Sequence, residues 1–262
     1  MQLQKIKFLV IGAAMLSFSV ISCNKDKDIQ PAPVPARQLT SLSQSGNLLP
    51  LNFSYDNTGR LIEASNAATA HKYVYGNHTL QAAISDANHF IYFEYKDGKL
   101  DNAGRLLEAT TIYHQPNQPD ASSKMEIACN AEGYATQYTS TSLGTGDIIR
   151  HDFGYANGNL VSDVTYYNGL QNSRIEYTYY DSLPNKLLVD VEKMITNLYS
   201  DGINGKINKN LLKTQTIYNS QNVKTSEYLN TYDLDSRGYP VNMKKTDVLH
   251  NFESSRGYSY NN

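Results

Sequence analysis

From Leu51 onward, apolar and polar residues alternate with a period of two. Leu51, Phe53 and Tyr55 share one face while Asn52 and Ser54 take the other, the signature of a strand with one face on a core. The same alternation predicts strands over residues 71–75, 89–95, 106–113, 125–129, 134–141, 148–155, 160–167 and 173–180. It resumes over 211–218, 225–234, 241–248 and, briefly, 257–260. One stretch departs from it. Leu187, Leu188, Val191, Met194, Ile195 and Leu198 fit one face of a short helix near 187–198 and equally fit two short strands. Residues 201–210, with two Gly and three Asn, read as a loop.

Between the strands one turn recurs. Asp56-Asn57-Thr58-Gly59-Arg60, Asp101-Asn102-Ala103-Gly104-Arg105, Asn130-Ala131-Glu132-Gly133-Tyr134 and Asp235-Ser236-Arg237-Gly238-Tyr239 each have Asp or Asn, two free positions, Gly, then Arg or Tyr. The Asx side chain caps the backbone N–H two residues on, and Gly takes the positive φ that closes a type I turn with a bulge. Asp97-Gly98, Asn157-Gly158 and Asn168-Gly169 suit two-residue type I′ turns. Asp97-Gly98 lies only Lys99-Leu100 from the next turn, too little for a strand, so one of that pair must extend a loop. Strands joined this way in chain order form an all-β, many-stranded, curved antiparallel meander of hairpins. The uneven spacing of Gly59, Gly104, Gly133 and Gly238 argues against the fixed period of a propeller.

Composition sharpens this reading. With 21 Tyr and no Trp, the chain suits a sheet with a partly solvated face, where Tyr covers cross-strand neighbours and keeps its hydroxyl wet. Before the alternation, Lys5 and Lys7 precede an apolar run from Phe8 to Ile21, then Ser22 and Cys23. This predicts a lipoprotein signal peptide over 1–22, acylation of Cys23, a flexible Pro-rich linker over 23–50 and a single Tyr-rich β domain over 51–262. Two acyl chains give stable membrane anchoring. Asn24 is not the Asp of the inner-membrane retention signal, so the expected address is the outer membrane, with either side open. The net charge is −2 and falls further when Lys5 and Lys7 leave, which argues against nucleic acid as a partner. Acylation of Cys23 leaves Cys129 without a disulfide partner, and its strand position suits a buried structural thiol.

The Tyr-Asp-x-x-Gly-Arg-Leu unit at 55–61 is similar to the YD repeat of Rhs-type surface proteins. The lipobox Val20-Ile21-Ser22-Cys23, Tyr177-Thr178-Tyr179-Tyr180-Asp181, residues 205–212 (GKINKNLL) and residues 232–240 (YDLDSRGYP) together resemble a Bacteroidetes lipoprotein family, domain of unknown function 4595. The resemblance covers about residues 45–262. It implies a porin-like or open-barrel antiparallel sheet, and it implies no activity and no cofactor.

No G-x-S-x-G, H-E-x-x-H, P-loop, dinucleotide fingerprint or C-x-x-C occurs, and no carboxylate pair is placed by spacing. No catalytic residue is assigned. His71, His89 and His151 each sit on an aromatic strand face. They would form a metal site only if their strands were neighbours, and wide amphipathic residues at the edge of an aromatic row need no metal. The rows themselves, Tyr73, Tyr75, Phe93, Tyr95, Phe153, Tyr155, Tyr177 and Tyr179, are the ligand-binding candidates, for stacking sugar rings or docking a partner. The alternative is that they are the core of the sheet. Thr225, Glu227, Leu229 and Thr231 on one face, with Ser226, Tyr228, Asn230 and Tyr232 on the other, leave no lipid-facing band. The expectation is a lipid-anchored binding module for a glycan or an envelope protein, with a structural envelope protein or a hydrolase with dispersed carboxylates as alternatives.

Overall fold

The structure is a computed structural model and describes residues 37–45, 48–187, 198–199 and 202–261. Among these residues there is no helix. The strands are β1 (Leu39–Gln44), β2 (Leu48–Tyr55), β3 (Leu61–Ser65), β4 (Thr69–Tyr75), β5 (Thr79–Asp86), β6 (Ile91–Leu100), β7 (Leu106–Tyr113) and β8 (Ala121–Cys129). They continue as β9 (Ala135–Ser142), β10 (Ile148–Ala156), β11 (Asn159–Tyr167), β12 (Leu170–Pro184), β13 (Asn210–Asn219), β14 (Lys224–Leu234), β15 (Pro240–Asp247) and β16 (Phe252–Tyr260). Each pairs antiparallel with the next, and β16 pairs back onto β1, from Leu39↔Tyr260 to Gln44↔Arg256. The meander is therefore a closed barrel rather than an open sheet. Closure pairs the two edges that would otherwise expose unpaired backbone groups.

The Asx turns form as the alternation predicts. Asp56 Oδ1 accepts from the Thr58 and Arg60 N–H groups at 2.8 and 3.0 Å, Oδ2 accepts from Arg60 Nε, and Gly59 has φ 86°. Both backbone bonds repeat at Asp101 and Asp235, and Asn130 Oδ1 accepts from the Tyr134 N–H at 3.0 Å. All four turns lie on one rim, because a meander returns to the same rim only after two strands. Asn157-Gly158 and Asn168-Gly169 have positive φ at both positions, as type I′ turns require.

Four expectations change. Asp97-Gly98 is a bulge inside β6, where the register shifts between Lys96 and Lys99 and an added Cβ on Gly98 would lie 2.4 Å from the Leu80 carbonyl oxygen. It shortens nothing, so β6 runs on to the turn at Asp101. His89 is a turn residue with φ 63° in Asp86-Ala87-Asn88-His89-Phe90, where Asp86 caps the Asn88 and Phe90 N–H groups; the expected strand starts two residues later. β5 is an additional strand that its Ala82-Ala83 pair hid. The last part of the stretch expected to be linker is strand: β1 and the start of β2 occupy it, and Leu39 is 1 % exposed. A register shift between Leu39 and Ser41 breaks the period of two that would have marked β1. The helix considered near 187–198 falls mostly outside the described residues, as do Cys23 and the leader.

Cross-strand register separates the walls. The inward set on one half of the barrel includes Leu61, Leu80 and Leu106, each 0 % exposed, and burying each contributes about 1.5–3 kcal/mol. This is the rim of the Asx turns, and the β12–β13 connection docks there. Leu187, Leu198 and Ile203 join the core cluster. Leu106 N–H donates to the Ile203 carbonyl at 2.8 Å, Lys206 N–H to the Gly133 carbonyl at 2.8 Å, and Lys209 N–H to the Gly158 carbonyl at 3.0 Å. Asn208 Oδ1 accepts from Leu160 N–H. Tyr199 packs edge-on to Phe53 and His71, and its carbonyl accepts from the Tyr73 hydroxyl. The Gly/Asn-rich composition read as a loop serves this purpose: it brings backbone against backbone.

The outer wall is charged through its middle. Lys124 Nζ bridges Glu126 at 2.7 Å and Glu108 at 3.8 Å, Arg150 pairs with Asp152, and Lys244 pairs with Glu253. Glu227, Leu229 and Thr231 face outward, while Tyr228, Asn230 and Tyr232 face inward by register. A lipid-facing band carries no such pairs, since one Lys or Arg at the bilayer midplane costs about 2–4 kcal/mol.

Candidate ligand cavity at the open end

The inner wall changes character toward the rim opposite the Asx turns. Tyr113, Tyr167 and Phe252 hold inward register positions there yet are 42, 48 and 66 % exposed. Beside Phe252 lies a cavity of about 440 Å³ lined by side chains of β1, β13, β14, β15 and β16. Register explains the lining. Gln44↔Arg256, Lys245↔Ser254, Asp247↔Phe252, Tyr228↔Asp247 and Gln215↔Tyr228 are directly opposed pairs, so alternate residues of five adjacent strands form one inward patch.

The patch holds two cations, Lys245 and Arg256, and one carboxylate, Asp247. Lys245 Nζ donates to Gln215 Oε1 at 3.3 Å and lies 4.3 Å from the centre of the Tyr228 ring, a cation–π distance. Asp247 accepts from the Leu249 and His250 N–H groups and pairs with the His250 ring at 2.9 Å. Burial pushes its carboxyl up, but the His250 ring and these N–H groups outweigh that and hold it below the ordinary value. Its role is to cap the β15–β16 turn. Among the described lining residues it is the one carboxylate.

Seven of the eight aromatic candidates pack on the inner wall. Tyr73, Tyr95 and Phe153 are buried, Tyr75, Phe93, Tyr155 and Tyr177 pack against the same core, and Tyr179 is half-buried opposite Leu212. They do not form an outward-facing flat patch. Tyr177 is the one that adjoins the cavity, through its cross-strand partner Gln215. Cys129 is inward and half-buried against the core. His71 (β4) and His151 (β10) sit on distant strands and His89 lies in a turn. His151 Nδ1 pairs with Asp163 at 2.9 Å, and no trio of His, Cys, Asp or Glu able to hold a metal ion occurs among the described residues.

Most of the lining residues are polar or charged and so stand outside the aromatic rows of the inward parity. Met243-x-Lys245-x-Asp247 and Ser254-x-Arg256-x-Tyr258 place charges on the parity that is apolar elsewhere, and that mismatch was the available signal. A second concavity, beside the β5–β6 and β7–β8 connections, has its charges tied together. His114 Nε2 pairs with Glu94 and Nδ1 with Asp120, each at 3.0 Å, and Lys96 also pairs with Glu94.

No family model matches the sequence, and no curated relative matches it. Solved structures do. A porin-like protein from Bacteroides vulgatus ATCC 8482 superposes with a TM-score of 0.63 at 13 % identity, covering 86 % of this chain and 99 % of the other. A porin-like protein from Bacteroides uniformis ATCC 8492 gives 0.58 at 15 % identity, covering 85 % and 98 %. The likeness is one of fold: an antiparallel barrel shared along nearly the whole of both neighbours.

Proposed function

We propose that the chain is a non-enzymatic binding protein of the cell envelope, tethered to the outer membrane through acylated Cys23, that takes a small glycan or glycan end into the cavity at the open rim. The observation that carries this is the change along the inner wall, from side chains excluded from water at the Asx-turn rim to exposed Phe252 and the Tyr228 ring beside a charged hollow at the other. Aromatic faces next to hydrogen-bonding and charged groups suit a polyhydroxylated ring. The charged outer wall supports a barrel carried on a lipid anchor rather than threaded through the bilayer. The signal-like residues 1–22 and Cys23 support the anchor, and the resemblance to lipoproteins agrees with it.

A glycan array probed with the Cys23→Ala full-length chain tests the reading, with Phe252→Ala and Gln215→Ala beside it. The expected result is selective binding that both cavity variants lose while keeping the parent's unfolding midpoint. Binding retained by both variants removes the cavity from the proposal. A silent array together with a specific envelope protein in pull-downs replaces glycan by protein as the partner. Fractionation tests the tether: Cys23→Ala is expected to leave the membrane fraction.

A further inference from the structure

We infer that the open rim is a membrane-contact surface, whose apolar turns rest in the headgroup layer of a bilayer while the charged outer wall stays in water. The contact does not depend on what the cavity binds.

The turns of the two rims differ in kind. Leu49, Phe90, Leu143, Leu170, Val223 and Val248, each between 41 and 77 % exposed, stand in or beside six different turns of the open rim. Apolar residues scattered singly over a surface are ordinary, but these gather at one end and are spread around its circumference. Among the described residues, no large exposed apolar side chain lies in a turn of the Asx-turn rim, where Arg60, Arg105 and Arg237 stand instead. Conversely, no Lys, Arg or Glu occurs in the open-rim turns, residues 45–47, 66–68, 86–90, 114–120, 143–147, 168–169, 220–223 and 248–251. Their carboxylates are engaged within the rim. Asp86 caps Asn88 and Phe90, Asp147 accepts from Thr145 Oγ1 at 2.6 Å and from Asn168 Nδ2 at 2.7 Å, and Asp120 pairs with His114.

Three features select a bilayer as the occupant. A ring of turns around a barrel's end meets a flat surface on every side, whereas a single docked segment would need them along one arc. An apolar ring without Lys or Arg, carrying exposed Phe90, Tyr113, Tyr167 and Phe252, suits the membrane interface, where aromatic and aliphatic side chains bury themselves at the headgroup level. The proposed anchor also permits this orientation. Arg37 pairs with Asp235 of an Asx turn, so the described chain starts at the opposite rim. From Leu39 back to Cys23 the chain reaches at most about 55 Å, whereas nine-residue strands such as β10 and β11, tilted as barrel strands are, rise only about 25 Å. The bilayer that holds the acyl chains is thus within reach of either rim, and only the open one has apolar turns. Seated in this way, the cavity beside Phe252 faces the headgroups, and a glycan taken there is one carried by a lipid.

The chain has no Trp, so a single introduced Trp reports its own surroundings. The full chain is floated on phosphatidylcholine vesicles made with ordinary or brominated lipid. Leu170→Trp and Val248→Trp at the open rim are read against Asn57→Trp and Ser236→Trp at the other. Brominated lipid is expected to cut the emission of the open-rim pair at least twofold and to leave the Asx-rim pair unchanged. The loss should be the same at low and high salt, because no Lys or Arg of the turns takes part. Adding Leu143→Ser and Val223→Ser to Leu170→Trp is expected to halve the loss or better. Quenching at both rims, at the Asx-turn rim alone or at neither overturns the inference, as does quenching that high salt abolishes. A doubled mass by light scattering with unquenched open-rim Trp gives the rim to a second copy and overturns it too. A chain that does not float removes the tether and the rim contact together, whereas a floated chain with unquenched Trp removes the rim contact alone. Silence on the glycan array leaves the contact standing. Two reporters at each rim keep the result independent of any one variant's folding.

Discussion

The two ends of this barrel are made from the same strands and do opposite things with them. At the Asx-turn rim, Leu61, Leu80 and Leu106 are sealed under the docked β12–β13 connection. At the other rim, Phe252 on the same inward parity stands in water in the same lining as Lys245 and Arg256. A barrel this wide cannot be filled by its own inward side chains along its whole length. The described residues of the connection cover the Asx-turn end, and the cavity lies toward the other rim. The sealed apolar core is therefore concentrated at one end and the proposed binding site lies at the other.

Core truncation gives the strongest test of that division. Leu106→Ala is expected to cost about 2–5 kcal/mol, read by urea unfolding, whereas Phe252→Ala at the open rim should shift stability by less than about 0.5 kcal/mol. Comparable losses at both would remove the contrast. Next comes the connection itself. An alanine Cβ at Gly205, which has φ 87°, would lie 2.9 Å from Ala135 N, so Gly205→Ala combines about 1–2 kcal/mol of left-handed strain with a further steric cost of about 1–3 kcal/mol. Gly104→Ala has the strain alone, since nothing lies within 4 Å of its added Cβ. Faster amide exchange at Leu106 and Lys206 in Gly205→Ala but not in Gly104→Ala would place the loosening in the docked segment.

Smaller effects follow from titration. At Asp101 burial acts upward, but the hydrogen bonds from Arg105 and Ala103 prevail and lower its pKa; Asp56 and Asp235 are lowered as well, through Thr58 and Tyr239 foremost. A depressed carboxylate contributes fully above its unfolded value of about 3.9 and loses that contribution as pH falls through its folded value. Melting temperature should therefore drop below about pH 4, and less steeply in Asp101→Asn, which copies the uncharged cap at Asn130. The smallest expected change is at His114. Its bond to Glu94 raises its pKa against the effect of burial, with Asp120 adding to the rise. A raised histidine contributes fully below about pH 6.5 and loses that as pH climbs through the folded value. His114→Gln should flatten a slight fall in melting temperature on the alkaline side.

Local chemistry was legible wherever it is decided locally. The Asx-x-x-Gly turns specify both a cap and a positive φ, and they fold as written. The same turn with His89 or Asn222 at the left-handed position passed unnoticed, although Asp86 and Asn219 cap it identically. Closure depends on β1 and β16 meeting, which no nearby residue encodes. The cavity depends on which inward positions of five strands the register brings together. Parity along β15 and β16 held its trace in Lys245 and Arg256, but only a known register turns a misplaced charge into a lining.

The seam where the barrel closes has a kinetic consequence. Every other strand pair joins neighbours in the chain and can form as a hairpin soon after its turn does. The β1–β16 pair must wait for the final segment: Arg37 Nε donates to the Asn261 carbonyl across 224 residues of chain. Until then both terminal strands are open templates for another molecule's backbone, and loop-closure entropy makes this last encounter the slow one. The last nine-residue strand therefore acts as the completion signal for folding, and loss of residues 252–260 should leave a chain that associates with itself rather than a slightly weaker barrel.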